Sequence, residues 1–145
     1  MCKFLFLFIG WCLFLQCNTD TIDKYDIRNF KLVDTSSSDT SKLRDIEEYV
    51  SISDTSLKMF KYYWPNGKLQ STSFFYNGLK EGKWESFFND GQKFYIFNFV
   101  AGKQEGFQEI YHTNGVLSSK EEFRNGIKIG DGDYFDSSGN LIKFR

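Results

Sequence analysis

Cysteine and histidine are scarce in this chain of 145 residues, and each scarcity excludes something. The three cysteines all lie within the first 17 residues, so the rest of the chain has no disulfide. The single histidine has no partner histidine with which to form a metal site. The net charge of -1, without a basic stripe, argues against nucleic acid as a partner.

Aromatic side chains, in contrast, are abundant and make up 19% of the residues. Phenylalanine and tyrosine favour β-strands, where a ring covers a half-buried pleated surface. Runs of alanine, leucine, glutamate and lysine, which are typical of helices, are missing. The composition therefore predicts an all-β protein.

The N-terminal segment has the pattern of an export signal. Lys3 precedes an uncharged stretch from Phe4 to Leu15, which is too short for a membrane-spanning helix of roughly 20 residues but suits a signal-peptide core. The sequence around Cys17 resembles a bacterial lipoprotein signal, although Gln16 replaces the usual small residue before the cysteine. The resemblance implies that 1–17 is the signal and that Cys17 is the lipidation site; an uncleaved N-terminal signal-anchor is the alternative.

After the signal, the chain is polar as far as residue 42. A stretch such as Thr35–Ser41 has almost nothing to bury, so we expect 18–42 to be a flexible tether, with one short strand around Phe30 as an alternative. The remaining residues, 43–145, are predicted to form one repeat domain. Its first unit, 43–61, is a degenerate terminal repeat, and regular repeats begin at about residue 62.

A period of 24 residues organises this domain. Four turn-forming dipeptides recur at that spacing, and two further series of glycines and two series of aromatic residues share it, as expected for repeat architectures. The turn and loop positions are Asn66, Gly67, Gly78, Gly82, Asp90, Gly91, Gly102, Gly106, Asn114, Gly115, Gly126, Gly130 and, after Ser138, Gly139.

Each dipeptide of this kind between apolar runs predicts a β-hairpin with a two-residue turn in which both residues have positive φ. The intervening segments 77–82, 101–106 and 125–130 are predicted to be longer loops. The result is an extended antiparallel meander of hairpins of about 24 residues each. Its predicted strands are 58–64, 68–76, 83–89, 92–100, 107–113, 116–124, 131–136 and 140–145.

The two aromatic series are predicted to form one apolar spine, with rings one repeat apart. Each buried ring contributes on the order of 1.5 to 3 kcal/mol to the free energy of unfolding. The predicted spine consists of Tyr63, Phe75, Phe87, Phe99, Tyr111, Phe123 and Phe135.

The string YYWPNGKLQSTSFFYNGLKEGKWESFF, at 62–88, resembles the MORN-repeat variant of proteins labelled YwqK-type antitoxins. The resemblance covers about 58–145, but later units drift, and Trp84 is replaced by Gln108 and then Gly132. It implies a MORN-like sheet. It also implies membrane apposition, lipid contact or protein scaffolding, without a cofactor.

These observations together lead us to expect a non-catalytic binding or scaffold module that is lipid-anchored in the bacterial cell envelope. Its expected partners are the membrane and a protein or other envelope component. The alternative is an antitoxin-like inhibitor that binds a toxin partner. The first full unit is rich in lysine and tryptophan, and its possible binding surface consists of Trp64, Lys68, Lys80, Lys83 and Trp84.

Candidate catalytic and metal-binding residues are few. His112 occupies the repeat position of Trp64, so it is expected to fill a strand end. The acidic residues follow the repeat, and the segment from Asp131 to Asp136 lacks the regular oxygen ligands of a calcium loop. Gly126–Gly132 lacks the strand-to-helix context of a phosphate-binding loop. We therefore expect neither catalysis nor metal binding.

Overall fold

The structure, a computed structural model, describes residues 24–36 and 46–142, and these residues form one antiparallel sheet. Neighbouring strands in the chain are neighbours in the sheet, as the predicted meander requires, and the two-residue strand Lys103–Gln104 pairs with the strand Lys93–Val100. The fold-class prediction is confirmed. The described strands are β1 Phe30–Ser36, β2 Ile46–Ser51, β3 Leu57–Tyr63, β4 Leu69–Tyr76, β5 Leu79–Phe87, β6 Lys93–Val100, β7 Lys103–Gln104, β8 Gly106–Tyr111, β9 Leu117–Arg124 and β10 Ile127–Tyr134.

The tightest turns lie where longer loops were predicted. Asn77 and Gly78 have φ values of 50° and 78°, which is the pattern of a two-residue hairpin turn. The equivalent residues at 101–102 and 125–126 also have positive φ. The prediction of loops at 77–82, 101–106 and 125–130 is therefore wrong, since β5 begins at Leu79 and continues through Gly82.

The Asn-Gly and Asp-Gly turns have a different geometry from the predicted one. In the first, Gly67 has a φ of 79° but Asn66 is not among the residues with positive φ. The Gly67 N–H donates to the Trp64 carbonyl, and the Trp64 N–H donates to the Lys68 carbonyl, which closes a three-residue loop. The Asn66 side chain accepts the Lys68 N–H at 3.0 Å. Asn66 therefore stabilises the turn through its side chain and not through the predicted positive φ.

Side chains alternate between two faces of the sheet. The core face carries a buried cluster of Leu57, Met59 and Phe74, against which Phe30 of β1 packs. Met59 is only 2% exposed. The opposite face, which carries Phe60, is named the aromatic face below.

The segment before β1 crosses the core face. The Tyr25 ring lies 5.0 Å from the Phe74 ring, between centroids, and a 3-10 turn at Ile27–Asn29 leads into β1. Within the predicted tether, 18–42, residues 24–36 are therefore folded against the sheet. The remaining residues of that range, and the predicted signal with Cys17, lie outside the described residues.

The predicted aromatic spine is divided between the two faces. Lys61 pairs with Glu47, and Tyr63 lies two residues further along β3 and donates to Glu47, so Tyr63 is on the core face. Phe75 contacts the Phe60 ring on the aromatic face. The same alternation places Phe87 and Tyr111 on the core face and Phe99 and Phe123 on the aromatic face. A single spine is therefore the wrong description.

The last predicted strand, 140–145, is reduced to a bridge in the described part of the chain. Phe135 pairs with Leu141, and the Ile142 N–H donates to the Tyr134 carbonyl at 2.7 Å. Residues 143–145 lie outside the described residues. Among the residues that are described, no helix is long and apolar enough to cross a membrane.

Candidate functional site

Four rings form a continuous row across β3, β4, β5 and β6 on the aromatic face. Successive centroids are 5.6, 5.1 and 5.2 Å apart, with ring planes inclined by 57° to 88°. Such tilted contacts contribute about 0.5 to 1.5 kcal/mol each beyond the burial of area. The row, named the ring row below, consists of Phe60, Phe75, Trp84 and Phe99.

The ring row is fixed by backbone as well as by ring contacts. The Trp84 indole N–H donates to the Phe74 carbonyl at 2.9 Å, so its polar atom is satisfied inside the sheet. Only Phe99 of the row is classed as buried, at 7% exposure. The row is thus bonded to the sheet but still accessible from solvent over part of its surface.

A second group of rings extends along β6. Tyr95 and Phe97 stack with centroids 4.5 Å apart and planes inclined by 16°. Phe94 contacts Tyr95, and Phe88 contacts Phe94. Aromatic side chains therefore cover a wide area of the first two regular repeats.

Two grooves flank the beginning of the ring row. The larger has a volume of about 470 Å³ and is lined by Phe60, Tyr62 and Phe75, with a polar rim that includes Lys58 and Asn77. The smaller has a volume of about 230 Å³. It is lined by Asp34, Ile46, Glu48, Phe60 and Tyr62. Phe60 and Tyr62 therefore form the ridge between the two grooves.

The five residues predicted as one binding surface do not lie together. Lys80 lies over the rings of Trp84 and Phe99, with its Nζ atom 4.6 and 4.8 Å from their centroids. Lys83 pairs with Glu85 at 2.6 Å, on the core face of β5.

The other two members of the predicted surface lie at a turn. The Trp64 indole N–H donates to the Phe87 carbonyl, and Lys68 donates to the Asp90 carbonyl at 2.6 Å. Lys80 and Trp84 alone remain as part of the aromatic face.

His112 has the structural role that its repeat position suggests. Its Nε2 atom lies 2.9 Å from the Phe135 carbonyl, and because a carbonyl only accepts, this nitrogen donates. Trp64 makes the equivalent contact with the Phe87 carbonyl two repeats earlier. His112 therefore links consecutive repeats in place of an indole.

Glu81 and Glu105 support the tight turns of the following repeat. Glu81 accepts the Ala101 N–H at 2.9 Å, and Glu105 accepts the Asn125 N–H at 2.8 Å. Glu81 also accepts from Lys24 and Tyr25. Burial alone would raise the pKa of Glu81, but these hydrogen bonds outweigh it and hold the pKa below its ordinary value of 4.5.

The second half of the aromatic face, formed by β8, β9 and β10, is polar. Gln108, at the repeat position of Trp84, accepts from Gln104 at 2.7 Å and donates to Glu121 at 3.4 Å. Tyr134 and Lys128 donate to the same Glu121 carboxylate. Hydrogen bonds from Lys128 and Tyr134 hold the pKa of Glu121 below its ordinary value.

The core face of this half also carries an ion pair. Glu109 lies 3.2 Å from Lys120 and accepts from the Tyr111 hydroxyl at 2.8 Å. Burial, followed by the hydrogen bond to Glu109, raises the pKa of Tyr111 to about 12. No group of three or more histidine, cysteine or acidic side chains in residues 24–36 and 46–142 is arranged to hold a metal ion.

Sequence reasoning missed the contribution of residues outside the regular repeats. Asp34, Glu48 and Phe60 line one groove, although only Phe60 lies near a recognisable repeat. The two-residue alternation of a strand, applied to 57–63, is a signal that could have placed Phe60 and Tyr62 on one face. No sequence signal indicated that Asp34 would lie beside them.

The comparisons with known proteins concern the repeats and their architecture. The family model described as "MORN repeat variant" matches residues 59–77, 80–101 and 104–125. The comparison with curated proteins gives no match.

Two solved structures show a weak likeness to the chain. The crystal structure of TarM is 14% identical over 71% of this chain and 21% of its own, with a TM-score of 0.35. A mutant of S. aureus TarM in complex with fondaparinux, alpha-GlcNAc-glycerol and UDP is 15% identical over 70% of this chain and 21% of its own, with a TM-score of 0.36. The chain spans about a fifth of the length of either structure.

The matched segments coincide with the observed hairpins, since each contains a strand, a three-residue turn and the next strand. Three consecutive segments of the chain therefore match the MORN repeat variant model.

Proposed function

We propose that this chain is a non-catalytic binding module that is held at a bacterial membrane by its N-terminus. It binds its partner on the first half of the aromatic face, which is formed by β3 to β6. MORN repeats often mediate binding or scaffolding. The observation that carries the proposal is the ring row with a groove of about 470 Å³ beside it. Binding sites are commonly concave and lined by apolar rings, with a few polar groups to orient the ligand.

The edge formed by the tight turns supports the membrane attachment. Large apolar side chains stand exposed there: Leu79 is 52%, Val100 55% and Ile127 72% exposed. Exposed cations accompany them, among them Lys103 and Arg124. Apolar side chains together with cations suit the surface of an anionic bilayer.

The position of Lys24 also supports this arrangement. Lys24 pairs with Glu81 at 3.1 Å, next to the turn at Ala101 whose N–H the same carboxylate accepts. Cys17 precedes Lys24 by seven residues, which span at most about 25 Å. A lipid on Cys17 would therefore hold the turn edge close to the bilayer and leave the aromatic face free to bind.

Metabolic lipid labelling with membrane fractionation tests the anchor. We expect label on the native chain in the membrane fraction, and its loss in Cys17→Ser. Cys12→Ser is the matched control and should keep the label.

A native chain without label in the cytoplasm would contradict the anchor and would favour an antitoxin-like inhibitor. A labelled chain that remains at its full length would indicate that the signal is not cleaved.

A further inference from the structure

We propose that the smaller groove, which is lined by Asp34, Glu48, Phe60 and Tyr62, binds an arginine side chain of a partner protein. This inference deepens the proposed function and rests on it, because it names the chemistry that the binding module recognises. The groove lies on the aromatic face between β1, β2 and β3.

The cross-strand register places two carboxylates side by side. Asp34 of β1 pairs directly with Glu48 of β2, which in turn pairs with Phe60 of β3. Side chains at directly opposed positions have Cβ atoms about 4.5 to 5.5 Å apart, and like charges there are destabilising. A cation bound between them would relieve this repulsion.

One lysine neutralises only part of this charge. Lys58 pairs with Glu48 at 2.7 Å and is diagonal to it in the register, since Lys58 itself pairs with Val50. Asp34 is exposed, and its carboxylate makes no hydrogen bond or ion pair in the described part of the chain. Counted over the described residues alone, Asp34, Glu48 and Lys58 leave an excess of one negative charge in the groove.

The floor of the groove consists of rings. Phe60 and Tyr62 are both half-buried, and Phe60 is held by its contact with Phe75 at 5.6 Å. The face of an aromatic ring attracts a cation within about 6 Å of its centroid. The groove of about 230 Å³ thus has aromatic rings at its floor and carboxylates at its side.

This combination favours a guanidinium group over an ammonium group. A guanidinium is planar, stacks on rings and donates two parallel hydrogen bonds to a carboxylate, whereas an ammonium is a compact and strongly hydrated charge. Asp34 is the expected acceptor of the paired hydrogen bonds, because Glu48 already holds Lys58. Lys58 competes for Glu48 and so weakens the site.

The test uses the full chain in detergent micelles, with ¹³C-labelled isoleucine methyl groups observed by NMR. Ile46 lines the groove and reports binding, while Ile129 of β10 is the reporter away from it. The probe is N-acetyl-arginine N-methylamide. Its neutral analogue with citrulline has nearly the same shape and lacks the charge.

We expect a saturable shift of the Ile46 signal with a dissociation constant of about 1 to 10 mM, as suits a single exposed contact. The citrulline analogue should bind at least roughly tenfold more weakly. Asp34→Asn should weaken arginine binding by roughly tenfold, and Lys58→Gln should strengthen it about threefold. Asp131→Asn, at an exposed acid on β10, should leave it unchanged.

An Ile46 signal that does not move, equal binding of citrulline, or full binding by Asp34→Asn would overturn the proposal. Arg44 lies two residues before Ile46 in the sequence and is another possible occupant. If the probe binds only after Arg44→Gln, the groove serves this chain's own arginine and the external partner is refuted. None of these results depends on the anchor, so failure here is distinct from failure of lipid labelling.

Discussion

The two halves of the aromatic face share the same kinds of turn but have opposite chemistry. In the first half, Trp84 contacts a ring on each side, at 5.1 and 5.2 Å. One repeat later, Gln108 takes its position and joins a chain of hydrogen bonds that ends at Glu121. Hairpins of one length are thus held together by ring packing in one region and by polar side chains in the other.

This difference shows which part of the repeat determines the fold. The positive φ values at the tight turns recur in both halves, as do the N–H bonds of those turns to Glu81 and Glu105. The side chains on the faces between the turns are free to change. The first half therefore has both a greater apolar contribution to stability and the surface that suits a ligand.

Trp84→Ala gives the largest expected contrast between the halves. Removing the indole deletes two ring contacts and leaves the Phe74 carbonyl without its donor. We expect a loss of about 3 kcal/mol in the free energy of unfolding, measured by urea denaturation. Gln108→Ala, at the same position of the next repeat, should cost less than about 1 kcal/mol. Equal losses would contradict the contrast.

Gly102→Val tests the turns, which both halves share. Gly102 has a φ of 83°, which a β-branched residue adopts only with strain, although the nearest side-chain atom leaves space at 3.7 Å. We expect a loss of about 2 kcal/mol in the free energy of unfolding. Lys103→Val, one residue later and without positive φ, should change stability by less than about 0.5 kcal/mol. An unchanged melting temperature in Gly102→Val would refute the turn assignment.

Glu81→Gln tests the contact that only the first half makes with the N-terminal segment. Because the folded state lowers the pKa of Glu81, the carboxylate stabilises the fold above pH 4.5, and this contribution is lost as the pH falls through the folded pKa. We expect Glu81→Gln to cost about 1.5 kcal/mol at pH 7 and much less at pH 3.

Urea denaturation of native chain and variant at both pH values measures this difference. Asp133→Asn, at an exposed acid of β10, is the control and should change the free energy of unfolding little at either pH. If Glu81→Gln lowers the free energy of unfolding equally at pH 3 and pH 7, ionised Glu81 does not hold the N-terminal segment.

Ala101 gives the smallest expected effect and sharpens the comparison of the three tight turns. It has a φ of 48°, at the position where Asn77 and Asn125 stand in the neighbouring repeats. Alanine is unfavourable in this region, whereas asparagine tolerates it. Ala101→Asn should raise the free energy of unfolding by about 0.5 kcal/mol, and Asn77→Ala should lower it by a similar amount. A lower free energy of unfolding in Ala101→Asn, or a higher one in Asn77→Ala, would contradict this explanation.

The sequence was sufficient to predict the fold but only part of the candidate site. The period of 24 residues implied antiparallel hairpins, because turn residues recur between strands of constant length. It did not show which end of each hairpin has the tighter turn, since Asn66 and Asn77 both precede a glycine. Only the structure shows that Asn66 accepts a hydrogen bond with its side chain whereas Asn77 adopts positive φ.

The division of the aromatic rings between the two faces could not be predicted from the periodic pattern either. Whether Tyr63 and Phe75 share a face depends on cross-strand register, and a bulge at Tyr63 shifts that register by one residue. The contacts of Tyr25 with Phe74 and of Asp34 with the groove join distant, non-repeating positions. Such contacts leave no period to detect in a single sequence.

Site-specific photo-crosslinking in cells tests most directly the central claim that the first half of the aromatic face binds the partner. A benzophenone amino acid would replace Tyr62, beside both grooves, or Tyr134, which lies on the same face in the polar half. We predict a discrete adduct from position 62 in the membrane fraction, reduced by excess native chain, and none from position 134. An adduct from position 134 alone, or equal adducts from both positions, would contradict the account.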